Sequence, residues 1–313
     1  MKLPLIKCHG SKNEFLIIDE TQQFQLSNDQ RIQFSQVLCD PSNGIGADGI
    51  LFYISSQVAD ACMKMLNPDG SEAEMCGNGL RCIGRYCSEQ LDKSSVLIET
   101  MKANLEVCRV ADIIKNVDSF EAEIKPVCLE VKSLPMMADS ENFVDKIIPS
   151  LSKSLKFTAL SIPNPHLITF VDEIDENVVQ KIGERANELV EILPRGVNVS
   201  FVKLLAPQQI FVMTYERGVG ITNACGTAMS ASSFVSCYLN HNQFGQTIKV
   251  LNKGGMVNCT ADLSKLMVKL SGNATFAQDI EINWQDQSFI ISRIRNRDDE
   301  TQAYQQLVDS ING

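Results

Sequence analysis

Two cysteines stand in sequence contexts suited to acid/base chemistry. Cys76 is followed by Gly77 and Cys225 by Gly226, and apolar or small residues at helical spacing come after each short bend. We therefore expect each cysteine where a helix begins, beside unpaired backbone N–H groups and a partial positive charge. That position lowers the pKa of a thiol from about 8.5 toward about 3.5–7.5. The glycines let a ligand carboxylate approach the backbone.

Two such thiols suit the removal of an α-proton from one face of an amino acid by one sulfur and the delivery of a proton to the other face by the second sulfur. One cysteine acts as the thiolate and the other as the thiol, and they exchange these roles with the direction of reaction. Because an α-proton is weakly acidic, N–H groups aimed at the carboxylate are needed to stabilise the developing charge. Such a reaction requires no cofactor.

The other nine cysteines favour an ordinary structural interpretation as small buried hydrophobic residues. Eleven is an odd number spread over 313 residues, unlike the dense disulfide framework of a small secreted domain. No Cys-x-x-Cys occurs, and the three histidines lie far apart in sequence, so we predict no metal site. Most of the cysteines are expected to be reduced.

Composition narrows the class of protein further. The chain has 28 basic and 38 acidic residues, a net charge of −10, without a concentrated basic patch. Such a surface repels nucleic acid and anionic membranes. The sequence contains no apolar run near the roughly 18 residues that a membrane span needs, and its first ten residues do not resemble a signal peptide. We therefore expect a cytoplasmic protein without nucleic-acid or membrane partners.

The elements that must position the two cysteines follow an α+β pattern, because strands and helices do not alternate one for one. An apolar stripe closed by Pro194 and Gly196 predicts a helix over 177–193. Segments rich in β-branched and aromatic residues predict twelve strands: 15–19, 49–55, 61–66, 96–100, 105–110, 120–124, 157–162, 167–171, 197–204, 210–215, 247–251 and 266–270.

A weak internal repeat links these elements. Asn13 precedes Cys76 by 63 positions, and Asn164 precedes Cys225 by 61. The sequence therefore predicts two similar halves, each bringing a cysteine to the start of a helix, with a boundary near Glu121.

Eight short blocks occur in an order that is specific as a set, although each alone is weak. They are residues 9–15 (HGSKNEF), 44–49 (GIGADG), 67–72 (NPDGSE), 76–82 (CGNGLRC), 164–166 (NPH), 196–199 (GVNV), 216–218 (ERG) and 224–227 (ACGT). Together, over about the first 280 residues, they resemble the diaminopimelate epimerase family.

This resemblance implies two pseudo-symmetric domains, each a strand-rich barrel around a central helix. We expect one domain over 1–120 with a returning segment at about 278–290, a second over 121–277, and a C-terminal extension over 291–313 that contains a short polar helix. The implied activity is conversion of LL- to meso-diaminopimelate without pyridoxal phosphate, on the route to lysine and peptidoglycan precursors. Members of the family are often homodimers.

The resemblance also assigns roles residue by residue. Cys76 and Cys225 are the implied acid/base residues, and His166 and Glu216 are implied to support catalysis near them. Donors to the reacting carboxylate are implied at four positions: Gly77, Asn78, Gly226 and Thr227. Contacts with the amino groups and the distal carboxylate are implied at six: Asn13, Asn67, Asn164, Asn198, Glu216 and Arg217. A guanidinium such as that of Arg217 offers two parallel N–H donors to a carboxylate.

Four positions depart from the family's usual pattern. Lys12 replaces a small residue and Glu14 an aspartate, whereas Pro163 stands for glycine and Ile221 for glutamate. The last two bear on the distal pocket, and therefore on which substrate is bound. Two alternatives remain: a racemase of another amino acid on the same fold, and a ligand-binding or thiol-redox protein without catalysis.

Overall fold

The structure is a computed structural model that describes residues 1–21 and 25–312. The chain forms two compact units, Met1–Ala122 with Ser271–Ile311, and Glu123–Leu270. The described residues contain five α-helices and eighteen strands, so the predicted α+β class is confirmed. Residues 291–311, which the sequence analysis separated as an extension, are part of the first unit.

The first unit begins with seven strands and two helices. In chain order they are β1 (Lys2–Gly10), β2 (Asn13–Asp19), α1 (Asn28–Leu38), β3 (Gly49–Ile54), β4 (Ala61–Leu66), α2 (Gly77–Leu91), β5 (Ser95–Glu99), β6 (Asn104–Ile114) and β7 (Val117–Ile124). Neighbours along the sheet follow the order β1 to β7, with parallel pairs at β2–β3 and β4–β5. Helix α2 contacts every strand from β1 to β6 and is therefore the central helix of this unit.

The second unit repeats this plan. Its elements are β8 (Lys146–Ile147), β9 (Lys156–Ile162), β10 (Asn164–Phe170), α3 (Glu176–Glu188), β11 (Asn198–Ala206), β12 (Gln209–Glu216), β13 (Gly220–Thr222), α4 (Gly226–Tyr238), β14 (Thr247–Asn252), β15 (Gly255–Asp262) and β16 (Met267–Asn273). Parallel pairs occur at β10–β11 and β12–β14. Helix α4 contacts β9, β10, β11, β12, β14 and β15.

The two units therefore share one topology. In each, an antiparallel pair (β1–β2 or β9–β10) leads through an outer helix (α1 or α3) to a parallel strand (β3 or β11). The antiparallel neighbour of that strand (β4 or β12) leads through the central helix (α2 or α4) to a further parallel strand (β5 or β14). This confirms the pseudo-symmetry predicted from the spacing of asparagines and cysteines.

The outer helices close the hydrophobic cores from the other side of each sheet. In the first unit, Phe34 and Leu38 of α1 pack with buried residues of β1 to β3. In the second, Val179, Ile182 and Ala186 of α3 pack with buried residues of β9 to β11. Each sheet thus lies between a central and an outer helix, which is why its strands are apolar on both faces.

Each of the twelve predicted strands overlaps an observed strand, but the predicted helix over 177–193 is too long. Helix α3 ends at Glu188, and Leu189 leaves the helical conformation. The Asn187 side chain donates to the Val197 carbonyl and accepts from the Val197 N–H, at 3.0 and 2.9 Å. These bonds turn the chain back toward β11, while Leu193 stays buried and continues the apolar stripe outside the helix.

The chain returns to the first unit through three C-terminal elements, β17 (Thr275–Gln285), β18 (Ser288–Asn296) and α5 (Asp298–Asn312). Strand β17 pairs antiparallel with β1, and β18 pairs with β17. Tyr304 of α5 is fully buried and clusters with Val308 and with Val117 of β7. The predicted polar helix is therefore present, and it is packed against the unit.

Candidate active site

Cys76 is the N-cap of the central helix of the first unit. Its backbone is extended, its carbonyl accepts from the Leu80 N–H at 2.8 Å, and its Sγ accepts from the Gly79 N–H at 3.3 Å. Gly77 and Asn78 are buried in the first helical turn. Residues 76–79, expected as a bend before the helix, thus already include its first turn. The thiol and the helix-terminal N–H groups come together as predicted.

Asn13 brings an amide to this cysteine from the start of β2. Its Oδ1 accepts from Cys76 Sγ at 3.9 Å and from Asn78 Nδ2 at 3.2 Å. Its Nδ2 donates to Asp48 Oδ2 at 2.8 Å, and the same oxygen accepts from the Glu14 N–H. Asp48 therefore fixes which end of the Asn13 amide faces the cysteine. Asp48 belongs to the block over residues 44–49, but nothing in that block indicates this role.

A buried arginine lies behind the first turn of α2. Arg81 is fully buried and donates to Asn78 Oδ1 at 3.1 Å, to the Asn273 carbonyl at 3.2 Å and to the Gly77 carbonyl at 3.4 Å. Its cationic group adds to the positive end of the helix, and this combination favours an anion. The Cys-Gly-Asn-Gly block marked the helix start, but it carried no signal for the role of Arg81.

Asn67 lies in the turn that follows β4. Its N–H donates to the Ser71 carbonyl at 2.8 Å and its Nδ2 to Ser71 Oγ at 3.0 Å. Asp69 also accepts from Ser71, which closes the turn. Asn67 therefore has a structural role in this turn, and the predicted role in substrate binding stays a prediction.

Cys225 is the N-cap of α4 and is more deeply buried than Cys76, with only 7% of its surface exposed. Burial, reinforced by the Glu216 carboxylate, raises the pKa of its thiol well above the usual value, although Thr227 and the Ala228 N–H act in the opposite direction. The predicted lowering of this pKa is therefore wrong for Cys225. Burial favours the neutral thiol, whereas the helix terminus favours the thiolate. For this sulfur the effect of burial is the larger.

Three polar side chains converge beside Cys225. Thr227 Oγ1 lies 3.5 Å from Cys225 Sγ, 3.2 Å from His166 Nε2 and 3.2 Å from Asn164 Nδ2. His166 Nε2 also lies 3.1 Å from Asn164 Oδ1. Burial, together with the charge of Arg217, lowers the pKa of His166 to about 3, so the imidazole is neutral at physiological pH. The uncharged imidazole of His166 thus orients Asn164 and Thr227 through hydrogen bonds.

Glu216, Arg217 and Asn198 form the adjoining edge of the second unit. The parallel register of β10 and β11 places Asn198 opposite His166. Asn198 Oδ1 accepts from the Arg217 N–H at 2.9 Å, and the exposed Arg217 side chain donates to the Arg195 carbonyl at 2.8 Å. Glu216 Oε1 accepts from the Thr222 hydroxyl at 2.5 Å. The turn after β12 therefore presents a carboxylate and a guanidinium side by side.

The repeat makes the difference between the two units explicit. Asn13 and Asn164 occupy the same place at the start of β2 and β10, and both bond a polar group in the first turn of the central helix. Where β10 carries His166 beside Asn198, the first unit pairs Phe15 with Gly49. The imidazole is thus an addition of the second unit.

Two of the departures from the family pattern have visible surroundings. Pro163 lies in the turn between β9 and β10, where its carbonyl accepts a hydrogen bond from the Ser161 hydroxyl. Ile221 is partly buried against the hydrophobic core of the second unit. The Ile221 side chain is thus accounted for by packing against this core.

Within the described ranges, no group of three or more His, Cys, Asp or Glu side chains is arranged to hold a metal ion. Over the same residues, no helix combines the length and apolar character required to cross a membrane.

Comparison with known proteins places this geometry in context. The model of the family described as diaminopimelate epimerase matches residues 5–118 and 158–277. A diaminopimelate epimerase of Clostridium acetobutylicum is 45% identical over 280 residues, which cover 88% of this chain and 84% of that protein. One of Listeria welshimeri is 40% identical over 316 residues, covering 97% of this chain and 95% of that protein.

Solved structures share the fold at low sequence identity. A hydroxyproline epimerase from Agrobacterium vitis matches with a TM-score of 0.66 and 14% identity, covering 91% of this chain and 93% of that one. A phenazine biosynthesis protein of the PhzF family from Bacillus anthracis matches with a TM-score of 0.64 and 14% identity, covering 91% and 100%. At these identities the likeness concerns the fold alone.

Proposed function

Since this chain belongs to the diaminopimelate epimerase family, we propose that it converts LL-diaminopimelate to meso-diaminopimelate in lysine biosynthesis. The observation that carries the mechanism is the repeated arrangement of a cysteine at the N-cap of each central helix, with an asparagine from the neighbouring strand. This arrangement supports Cys76 and Cys225 as the two acid/base residues. The reaction removes one α-proton, adds a proton on the opposite face of the same carbon and leaves every other bond of the substrate intact.

Each helix start supplies the means to stabilise the charge that develops on the reacting carboxylate. Backbone N–H groups at a helix N-terminus bind anions, and they need no reorganisation when negative charge appears. We assign this role to Gly77 and Asn78 in α2 and to Gly226 and Thr227 in α4. The buried cation of Arg81 strengthens the positive potential at the start of α2.

The raised pKa of Cys225 fits the role of proton donor in one direction of the reaction. Because Glu216 contributes to that shift, an ammonium group of the substrate beside Glu216 would offset the carboxylate charge and ease formation of the thiolate. Glu216 thereby supports catalysis through the protonation state of Cys225. His166 supports it differently, by holding Asn164 and Thr227 as a neutral group.

The remaining assignments concern the rest of the substrate. We propose that Asn13, Asn67, Asn164, Asn198 and Arg217 hold the amino groups and the distal carboxylate. The exposed guanidinium of Arg217, adjacent to Glu216, suits a substrate end that carries both charges.

The composition bears on partners and compartment. The net charge of −10 supports a small-molecule role without nucleic acid, and the eleven free cysteines support a reducing compartment such as the cytoplasm. A homodimer stays a prediction.

The test is proton NMR of the reduced protein with LL-diaminopimelate in deuterated buffer. We expect loss of the α-proton signal at one carbon together with appearance of the meso isomer. Absence of exchange with reduced thiols would contradict this substrate and redirect the assay to other amino acids.

Substitution of the two cysteines tests their roles. Cys76→Ala and Cys225→Ala should each lower turnover by at least about 100-fold, because each removes an acid/base group. Cys82→Ala and Cys237→Ala are matched controls, since these buried cysteines lie in the same helices and should leave turnover intact. Normal turnover of either of the first two variants would reject the two-cysteine mechanism.

A further inference from the structure

The turn between β1 and β2 has an unfavourable backbone conformation. Ser11 and Lys12 both have positive φ, 55° and 63°, and neither is glycine. Such residues cost free energy in this region because Cβ crowds the following carbonyl. Asn13, which faces Cys76, follows directly. The turn must therefore be held by contacts from elsewhere if Asn13 is to keep its place.

Helix α5 supplies those contacts. The fully buried Tyr304 ring meets the His9 ring edge-on with 4.8 Å between centroids, and Lys12 Nζ lies 5.7 Å from the centre of the same ring. Lys12 Nζ also donates to Gln305 Oε1 at 2.8 Å. Tyr304 and Gln305 of α5 thus contact both His9 at the end of β1 and Lys12 in the turn.

His9 transmits this contact to the backbone of the turn. Its Nδ1 accepts from the Lys12 N–H at 3.4 Å and from Asn273 Nδ2 at 3.2 Å, and Asn273 Oδ1 accepts from the Ser11 N–H at 2.8 Å. Burial lowers the pKa of His9 to about 3, so the ring is neutral, and the two donors that face Nδ1 place its single N–H proton on Nε2. The ring of Tyr304 thereby sets the orientation of an imidazole that anchors the turn.

Helix α5 is itself fixed to the central helix. Glu300 accepts from Arg85 Nη1 and Nη2 at 2.6 and 3.0 Å, and from the Phe276 N–H at 3.1 Å. Arg85 belongs to α2, whose N-cap is Cys76. Helix α5 therefore contacts both α2, which begins at Cys76, and the turn that precedes Asn13.

We propose that α5 is a positioning element for the reaction, and that Tyr304 is its positioning residue, holding the strained Ser11–Lys12 turn so that Asn13 faces Cys76. This proposal rests on the proposed function for its kinetic consequence. It predicts that loss of the Tyr304 ring impairs catalysis without removing any group that touches the substrate.

The experiment compares Tyr304→Ala with Val308→Ala. Val308 is buried on the same helix and in the same cluster, and serves as the matched control for loss of packing. We expect Tyr304→Ala to lower kcat/KM for diaminopimelate by at least about tenfold, since displacement of a positioned group by an ångström is costly. Val308→Ala should lose thermal stability yet keep the wild-type kcat/KM. Tyr304→Phe retains the ring but loses the hydroxyl that interacts with the Ser11 side chain, so it should restore part of the activity.

A second substitution distinguishes positioning from general damage. Lys12→Gly removes the Cβ that makes positive φ unfavourable, so adding it to Tyr304→Ala should recover part of the lost kcat/KM. The proposal is overturned if Tyr304→Ala and Val308→Ala lose kcat/KM equally, or if Lys12→Gly recovers none of it.

Hydrogen–deuterium exchange of the full chain gives a readout that is independent of the substrate. Tyr304→Ala should speed deuterium uptake at the Ser11 and Lys12 amides, whereas Val308→Ala should not. If the wild-type protein does not turn over diaminopimelate, the proposed function fails, and the exchange measurement still decides the inference. Unchanged uptake at these amides in Tyr304→Ala would overturn it.

Discussion

At the scale of single residues, the two cysteines occupy equivalent helical positions in different surroundings. Cys76 is partly exposed and faces the amide of Asn13, whereas Cys225 is buried between Thr227 and the Glu216 carboxylate. Helix position alone therefore does not set the protonation state of Cys225. For Cys225, the deciding contributions are burial and a carboxylate nine residues earlier in the chain.

Arg217 offers the sharpest residue-scale test of substrate class. Arg217→Ala should raise KM for diaminopimelate by roughly 10- to 100-fold, the loss expected for charge-assisted hydrogen bonds to a carboxylate. Arg195→Ala is the control, because Arg195 is exposed nearby and its carbonyl contact with Arg217 is retained. An unchanged KM in Arg217→Ala would favour a racemase of an amino acid with a single carboxylate.

At the scale of elements, the central helix of the first unit approaches β6 closely enough for glycine to be required. A Cβ at Gly84 of α2 would lie 2.3 Å from Val107 Cγ1 and 2.6 Å from Val107 Cβ on β6. Because Cys76 and Arg81 belong to this helix, its distance from β6 also affects where the cysteine lies. Glycine is thus a packing requirement at this crossing.

A double-mutant cycle tests this contact. Gly84→Ala should lower the free energy of unfolding by about 1–3 kcal/mol through overpacking. Combined with Val107→Ala, it should cost clearly less than the sum of the two single changes, because the second change removes the clashing methyl groups. Val117→Ala on β7 is an equally buried control in the separate cluster with Tyr304 and should combine additively. Additivity with Val107→Ala in urea denaturation would contradict the predicted clash.

At the scale of the whole molecule, two buried histidines link stability to pH. Burial lowers the pKa of both His9 and His166 to about 3, against about 6.5 in an unfolded chain. Above pH 6.5 both states are neutral. As the pH falls from 6.5 toward 3, the unfolded chain binds protons that the folded chain does not, so the free energy of unfolding decreases.

Urea denaturation at pH 7 and pH 5 measures this effect. Each histidine should contribute roughly 2 kcal/mol to the loss between these values. His166→Asn should therefore lose less stability on acidification than the wild type, whereas the exposed His241→Asn should behave like the wild type. An equal loss in His166→Asn and the wild type would show that His166 is not held neutral.

Much of this fold could be predicted from patterns among residues that are close in sequence. Periodicity, turn residues and capping positions depend on neighbours in sequence. They indicate the starts of α2 and α4, the twelve strand segments and the similar spacing within the two halves. The α+β class and the pseudo-symmetry could be predicted for that reason. Strand β18 could not, because it is mostly exposed and only Phe289 and Ile291 of it pack against the core.

The surroundings of the two cysteines depend on contacts between residues that are far apart in sequence. The residues near Cys76 include Asp48, which orients Asn13 from 35 positions away, and Tyr304, which packs on His9 from the last helix. The raised pKa of Cys225 likewise required knowledge of its burial and of Glu216. Sequence patterns report where a chain turns or coils, whereas desolvation and charge depend on which atoms surround a group. Those surroundings exist only in the folded chain.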